Sequence, residues 1–388
     1  MNPLMLYEFH QSLGAQFAVL NDVQIVNDFG DWLAEHAALR ETAGVIDLSF
    51  RSRICLVGAD RVRYLHGQVT NDVKKLRVGE GCYSAVTTAK GKMESDLNIF
   101  ALADELLLDF EPGLTEKVSQ RLEKFIVADD VQIVDAAPHY GLLSVQGPKA
   151  EAVVRALGLF AEFPAKPLSS VKITDVTLGE IYLMSHARLD SNWWGEPSSS
   201  PDLSEMGSRG LSPHQKMIGF DLFVPSNSLG AVADKIIAAA NQVGGRACGW
   251  QAFETARIEA GIPRFGADMD ETNIPLECGI ERRAVTYSKG CYIGQEVINR
   301  IHSVGHVNRE LRGLRLADDL KALPQRGDKL FHAGKEVGSV TSVVKSPALK
   351  ASIALGYVRR EANQIDTELT LHAAGVERAA KIVELPFR

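Results

Sequence analysis

The densest run of reactive side chains lies at residues 289–300, KGCYIGQEVINR. Gly290 and Gly294 bracket Cys291 and permit a tight backbone path, while Lys289 puts a cation close to the thiol. A thiol beside a cation and near a helix start carries more thiolate, which makes it a better nucleophile, metal ligand or disulfide partner. The alternative is a small buried apolar residue at a structural turn, in a run that also holds Tyr292 and Gln295. Glu296 and Arg300 are spaced to pair on one helical face.

Three separated groups suggest a second chemistry: Asp96 at a strand start, Asp221 in GFDLFVP, and Arg257 in TARIEAGIPRFGADMD. A carboxylate in a mostly apolar pocket can accept paired N–H donors from a 2-amino-pyrimidinone ring, and an arginine can grip a carboxylate tail bidentately. Those are the two ends of a folate. Taken singly, the same residues are surface or capping carboxylates and a salt-bridged arginine, and spacing does not choose between the readings.

Other chemistries lack support. His302 and His306 stand four apart, but Gly305 intervenes and no glutamate follows His302 as in HExxH, so no metal site is expected. No GxxxxGK[ST] occurs and no GxGxxG follows a strand, which removes the common nucleotide-binding classes.

The elements that must position these residues alternate between strand and helix. ICLVG reads as a strand, with Asp60 as N-cap of a helix through RVRYLHGQV. CYSAVTT and LNIFAL form a hairpin-like pair with Asp96 at the start of its second strand. Leu114, Val118, Leu122, Phe125 and Ile126 keep one apolar helical face. VQIV and YGLLSV are strands, KAEAVVRALGL is a helix, and Ser226 or Ser228 precedes the amphipathic helix LGAVADKIIAAANQV, stopped by Gly244-Gly245. The pattern predicts an α+β body with mixed or antiparallel sheets over residues 1–310. Residues 186–216 lack any period and read as a long inserted loop carrying Trp193 and Trp194, either a contact patch or a tolerated insertion. Short alternating runs over residues 311–388 predict a C-terminal β-barrel or sandwich.

The 388-residue length suits two or three domains. Forty-nine acids against 42 Lys and Arg give a net charge of −7, so no footprint for a nucleic-acid partner exists at the whole-chain level. Five cysteines with no CxxC pair fit a reducing compartment. The N-terminus lacks a signal-peptide pattern and no apolar run approaches the roughly 20 residues of a spanning helix, so a cytoplasmic protein with no membrane partner is expected.

With these segments in view, the chain resembles a known family. KGCYIGQEVINR closely resembles the K-G-C-[FY]-x-G-Q-E-x-x-x-R signature of the YgfZ-type folate-binding proteins, which act in iron–sulfur cluster assembly or repair. That family is related to the aminomethyltransferase, or T-protein, of the glycine cleavage system. AGVIDLSFRSRICLVGADR, GKMESDLNIF, VQGP, ARIEAGIPRFGADMDETNIPLE and the segments GSVTS and SPALKASIALGYV resemble T-protein stretches in the same order. The resemblance implies a ring of three domains with a C-terminal β-barrel and a folate in the central hole. It implies that Asp96 lies by the reacting nitrogen of tetrahydrofolate, that Asp221 holds the pteridine, and that Cys291 at the mouth of the site is needed for function.

Departures accompany it. Phe50 and Arg51 stand where the T-protein has histidine and methionine, Phe253 stands where it has a folate-contacting arginine, Arg257 aligns with the other arginine of that helix, and a loop ending at Gln215 replaces its G-Y-T-G-E segment. The leading expectation is therefore a protein that binds tetrahydrofolate or another folate and supports iron–sulfur proteins or their assembly machinery. The alternative is a tetrahydrofolate-dependent aminomethyl or methyl transferase or demethylase with Asp96 as acid/base.

Overall fold

A computed structural model describes residues 4–190 and 217–387. The expected loop at 186–216 therefore lies outside the described residues from position 191 onward, and Trp193, Trp194 and Gln215 with it.

Two sheets form the body. The first has five antiparallel strands in the order Gly81–Thr87, Met93–Ala101, Leu106–Phe110, Ser52–Val57 and Gln132–Asp135. Period-two alternation divides its faces. Leu97, Ile99, Ile54, Leu56 and Leu108 face one way, in a core with Tyr64 and Leu65 of the Arg61–Gln68 helix and Val118 and Leu122 of the Thr115–Glu123 helix. Phe100 belongs to the opposite face and meets Phe223 of the second sheet, ring centroids 6.1 Å apart. The hairpin expected at Asp96 is present, but its second strand begins at Met93, because the ladder runs on to the pair Thr87 and Met93. Asp96 is thus the fourth residue of its strand, opposite Ala85.

The second sheet runs Ser170–Asp175, Gly179–Ser185, Gly219–Pro225, Tyr140–Gln146, Gly44–Asp47 and Arg246–Ala247. Only the last pairing is parallel. The Ala150–Ala156 and Leu229–Gln242 helices cover its outer face through Val153, Val154, Leu229, Val232 and Ile236. Arg53, fully buried, ties the two sheets' connections together by donating to the carbonyls of Ser49 and Tyr140 at 3.0 and 2.8 Å. Burial with no carboxylate in contact lowers its pKa to about 10.

Two expected caps differ. Asp60 occupies the N-cap position, but its Oδ2 accepts from the amide of Asp130 at 3.0 Å instead of from the helix it precedes. Ser228 is an N-cap whose hydroxyl likewise bonds no helical amide.

The C-terminal barrel is closed, in the order Arg309–Leu316, Ala351–Arg359, Lys335–Ser346, Lys329–His332, Glu368–Ala373 and Val376–Val383, with the last strand returning to pair with the first. Leu314, Leu330, Val340, Val358, Leu371 and Ile382 fill it. The α+β body and the closed barrel are the architecture the alternation predicts. Among the described residues no helix is long and apolar enough to cross a membrane.

Candidate functional site

The facing surfaces of the two sheets carry a continuous polar network. On the first sheet, Asn98 and Asp109 are cross-strand partners, and Asn98 Nδ2 donates to Asp109 Oδ2 at 3.1 Å. Arg51 Nε donates to Asp109 Oδ1 at 2.7 Å and its Nη1 to Glu111 at 2.9 Å, and Glu111 in turn accepts from Arg264 at 2.9 Å. On the second sheet, Asp221 Oδ2 lies 2.8 Å from His186 Nδ1. Arg188 joins the sheets, its Nη2 being 2.9 Å from Asp109 Oδ2 and 2.7 Å from Asp221 Oδ2. Burial alone would raise both aspartates, but the neighbouring guanidiniums reverse it and hold both below the usual carboxylate range.

Asp96 adjoins this network and behaves oppositely. It receives the Tyr83 hydroxyl on Oδ2 at 2.8 Å, yet burial, reinforced by the charge of Glu111 and opposed by Arg51, raises it to about 6. One space therefore holds a carboxyl poised near neutrality and two carboxylates kept ionised, the divergence of environments that separates acid/base from anchoring roles.

Asp96 and Asp221 are thus brought to the same inter-sheet region. Arg257 is not free to grip a ligand tail: Nη1 donates to Asp268 at 2.5 Å and to the Ile262 carbonyl at 3.0 Å, Nη2 reaches Ser342 of the barrel at 3.2 Å, and Glu254 pairs with the same guanidinium. It docks the Trp250–Glu259 helix on the barrel. Phe50 and Phe253 both pack on Trp250, at 5.6 Å each, and the Arg264 guanidinium lies over the same indole at 5.2 Å. Two positions that depart from the T-protein resemblance are joined in one aromatic wall.

The 289–300 segment is positioned by its non-reactive residues. Lys289 turns away from the role expected of it. Its ammonium is buried and donates to the carbonyls of His66, Val69 and Asn71 at 2.6, 2.6 and 2.8 Å, satisfying orphan acceptors at and beyond the end of the Arg61–Gln68 helix. Burial, partly offset by Asp72, lowers its pKa to about 8. Gly294 has φ +93°, and a Cβ there would stand 2.6 Å from the Thr88 carbonyl oxygen and 2.7 Å from Thr87 Oγ1. The motif is thereby pressed against the turn of the hairpin that carries Asp96. Gly290 is less constrained, its nearest neighbour for an added Cβ being His66 Nε2 at 3.7 Å. Tyr292 is buried against Lys289, whose Nζ is 4.9 Å from the ring centroid. Gln295 and Glu296 begin the Gln295–Val304 helix; Glu296 and Arg300, both exposed, form no ion pair with each other. Cys291 is exposed, whereas the other four cysteines are buried or half-buried, so it is not a small core residue. Among the described residues no hydrogen bond or ion pair links it to Asp96, Asp109 or Asp221.

Arg51 is marked in the sequence only as a departure from the resemblance, and Asp109, Glu111, His186 and Arg188 escape notice there. Arg188 lies at the edge of the segment read as aperiodic loop, and nothing local marks its pairing with Asp109, 79 positions away.

Comparison with known proteins agrees with this architecture. Residues 6–187 and 217–289 match the GCVT N-terminal domain, and residues 309–388 match the glycine cleavage T-protein C-terminal barrel domain. An aminomethyltransferase from Geobacillus thermodenitrificans (strain NG80-2) is 29% identical over 384 residues, spanning 98% of this chain and 97% of that protein. Another, from Shouchella clausii (strain KSM-K16), is 28% identical over 386 residues, spanning 98% and 96%. The crystal structure of the glycine cleavage system aminomethyltransferase T from Bartonella henselae shares the fold, with a TM-score of 0.84 at 22% identity over 100% of this chain and 98% of that one.

Proposed function

Because the chain belongs to the glycine cleavage T-protein family, we propose that it binds tetrahydrofolate between its two sheets and that Asp96 handles the proton in folate-dependent one-carbon transfer. The observation that carries this reading is the half-buried Asp96 carboxyl, bonded by Tyr83 and pushed up to about 6. Near neutral pH it is ionised yet close to its titration, the condition under which a general acid/base is most effective. Tetrahydrofolate would supply the nitrogen that carries the one-carbon unit. Asp221 would accept the N–H edge of the pterin, and the fit is supported by the group it holds now, since the Arg188 guanidinium is itself a planar N–H donor. The wall of Phe50, Trp250 and Phe253 would keep water from the reacting region. Residues 1–310 would form the folate-binding body and residues 311–388 the barrel that closes it.

Incubation with tetrahydrofolate and candidate one-carbon donors tests the reading. Catalytic formation of methylene- or methyl-tetrahydrofolate by the wild type, lost in Asp96→Asn, is the expected result; absence of turnover with every donor removes the transferase role.

A second reading, a YgfZ-type protein supporting iron–sulfur enzymes, is favoured by two observations. Cys291 is exposed on a segment braced by Lys289 and Gly294, and Phe50 and Phe253 stand where the T-protein resemblance puts a histidine and an arginine. In cells carrying Cys291→Ala, iron–sulfur enzyme activity should fall; full activity counts against this role.

A further inference from the structure

Among the described residues, Arg188 alone bonds both Asp109 of the first sheet and Asp221 of the second. Its side chain is 8% exposed and Asp221 is 0% exposed, so the contact is a desolvated one. Nε and Nη2, the two donors along one edge of the guanidinium, both face Asp221: Nε at 3.2 and 3.0 Å from Oδ1 and Oδ2, Nη2 at 2.7 Å from Oδ2. This N–C–N donor edge has the same shape and donor pattern as N2 and N3 of a 2-amino-pyrimidin-4-one, the ring that a pterin would offer to the same carboxylate.

The guanidinium is also placed to leave. Asp109 would keep Arg51 at 2.7 Å and Asn98 at 3.1 Å, and Asp221 would keep His186 at 2.8 Å, so neither carboxylate would be stranded unpaired. The Arg188 backbone is held separately, its amide donating to Gln146 Oε1 at 2.9 Å, so only the side chain needs to move.

We propose that Arg188 is an internal occupant of the pterin subsite, its guanidinium exchanging on Asp221 with the 2-amino-pyrimidinone edge of the incoming ligand. The inference rests on the folate reading and deepens it by fixing what the site selects. A ligand without the donor edge cannot replace the guanidinium, and a ligand that carries it binds with an affinity reduced by the fraction of molecules in which Arg188 is seated.

The experiment titrates the full chain, wild type and Arg188→Met, with tetrahydrofolate, with 2-aminopyrimidin-4-one, and with pyrimidin-4-one as the control lacking the amino group. The Arg188 Nε–H resonance of the wild type is followed by ¹⁵N NMR, which needs no altered protein to remain folded. Expected are at least tenfold tighter binding of 2-aminopyrimidin-4-one by Arg188→Met, no such gain for pyrimidin-4-one, and movement of the Arg188 resonance toward that of solvated arginine as tetrahydrofolate saturates the wild type. Equal affinities in the two proteins, or saturation with an unmoved resonance, overturn the exchange. If tetrahydrofolate binds neither protein while 2-aminopyrimidin-4-one retains its preference for Arg188→Met, the exchange stands and the folate reading falls.

Discussion

The Tyr83 hydroxyl donates to Asp96 Oδ2 at 2.8 Å from the neighbouring strand of one hairpin. Burial first, and the Asp96 charge second, push the phenol far above its ordinary range, so it stays a donor at every working pH. The bond opposes the rise that burial imposes on Asp96. In Tyr83→Phe the carboxyl should titrate higher still, and the acid limb of the pH–rate profile for one-carbon transfer should move to higher pH while the fold is kept.

Asp96 also gives stability a defined pH dependence. Its folded pKa of about 6 exceeds the ordinary aspartate value of 3.8, so the native state binds the proton more tightly than the unfolded chain does. The contribution is fully present below pH 3.8 and is lost as pH rises through about 6. Asp96→Asn removes that loss. At pH 7 it should melt higher than the wild type, by roughly 2 °C or more, while losing activity; thermal scans at pH 4 and pH 7 should show the gain only at pH 7.

Arg51 sits between two acids, and its removal leaves both short of a cation. Arg51→Met should cost about 3 kcal/mol in urea unfolding, because breaking a buried ion pair strands charge that burial has already desolvated. An unchanged midpoint would mean that Arg188 and Arg264 neutralise Asp109 and Glu111 unaided.

The two glycines of the 289–300 motif should respond unequally. Gly294→Ala meets backbone at 2.6 Å and a left-handed φ, so it should destabilise by roughly 2 kcal/mol or more. Gly290→Ala meets only ordinary contact at 3.7 Å and should stay within about 0.5 kcal/mol of wild type by chemical denaturation.

Lys289→Met would leave three carbonyls without their shared donor, at a cost of about 1–3 kcal/mol. Cys291→Ser, at an exposed position, should unfold like the wild type. If Lys289→Met abolishes function without loss of stability, the ammonium acts on chemistry and not on the helix end.

Strands and amphipathic helices were legible because burial on one face imposes a period on the chain, and Asp96 and Asp221 were legible as acids in apolar strands. What could not be read is pairing across the sheets. Asp109 is a single acid in LLLDF, and its partners Arg51 and Arg188 lie on other strands and connections. Proximity in sequence even misleads: Lys289 is beside Cys291 in the chain, yet its ammonium is committed to carbonyls more than 200 positions away. Asp60 stands where a cap belongs, and a distant amide takes its carboxylate. Long-range hydrogen bonds leave no local signature, so a residue's type is readable well before its partner is.

The barrel closes by joining its first strand, Arg309–Leu316, to its last, Val376–Val383. A ribosome delivers that last strand more than a hundred residues after the Trp250–Glu259 helix, a delay on the order of ten seconds. Until the Lys335–Ser346 strand is made, Arg257 lacks Ser342 and Glu259 lacks Ser346, while Asp268, His36 and Arg40 are already present as their charged partners. Chaperone engagement during translation should therefore persist until the final strand closes the barrel.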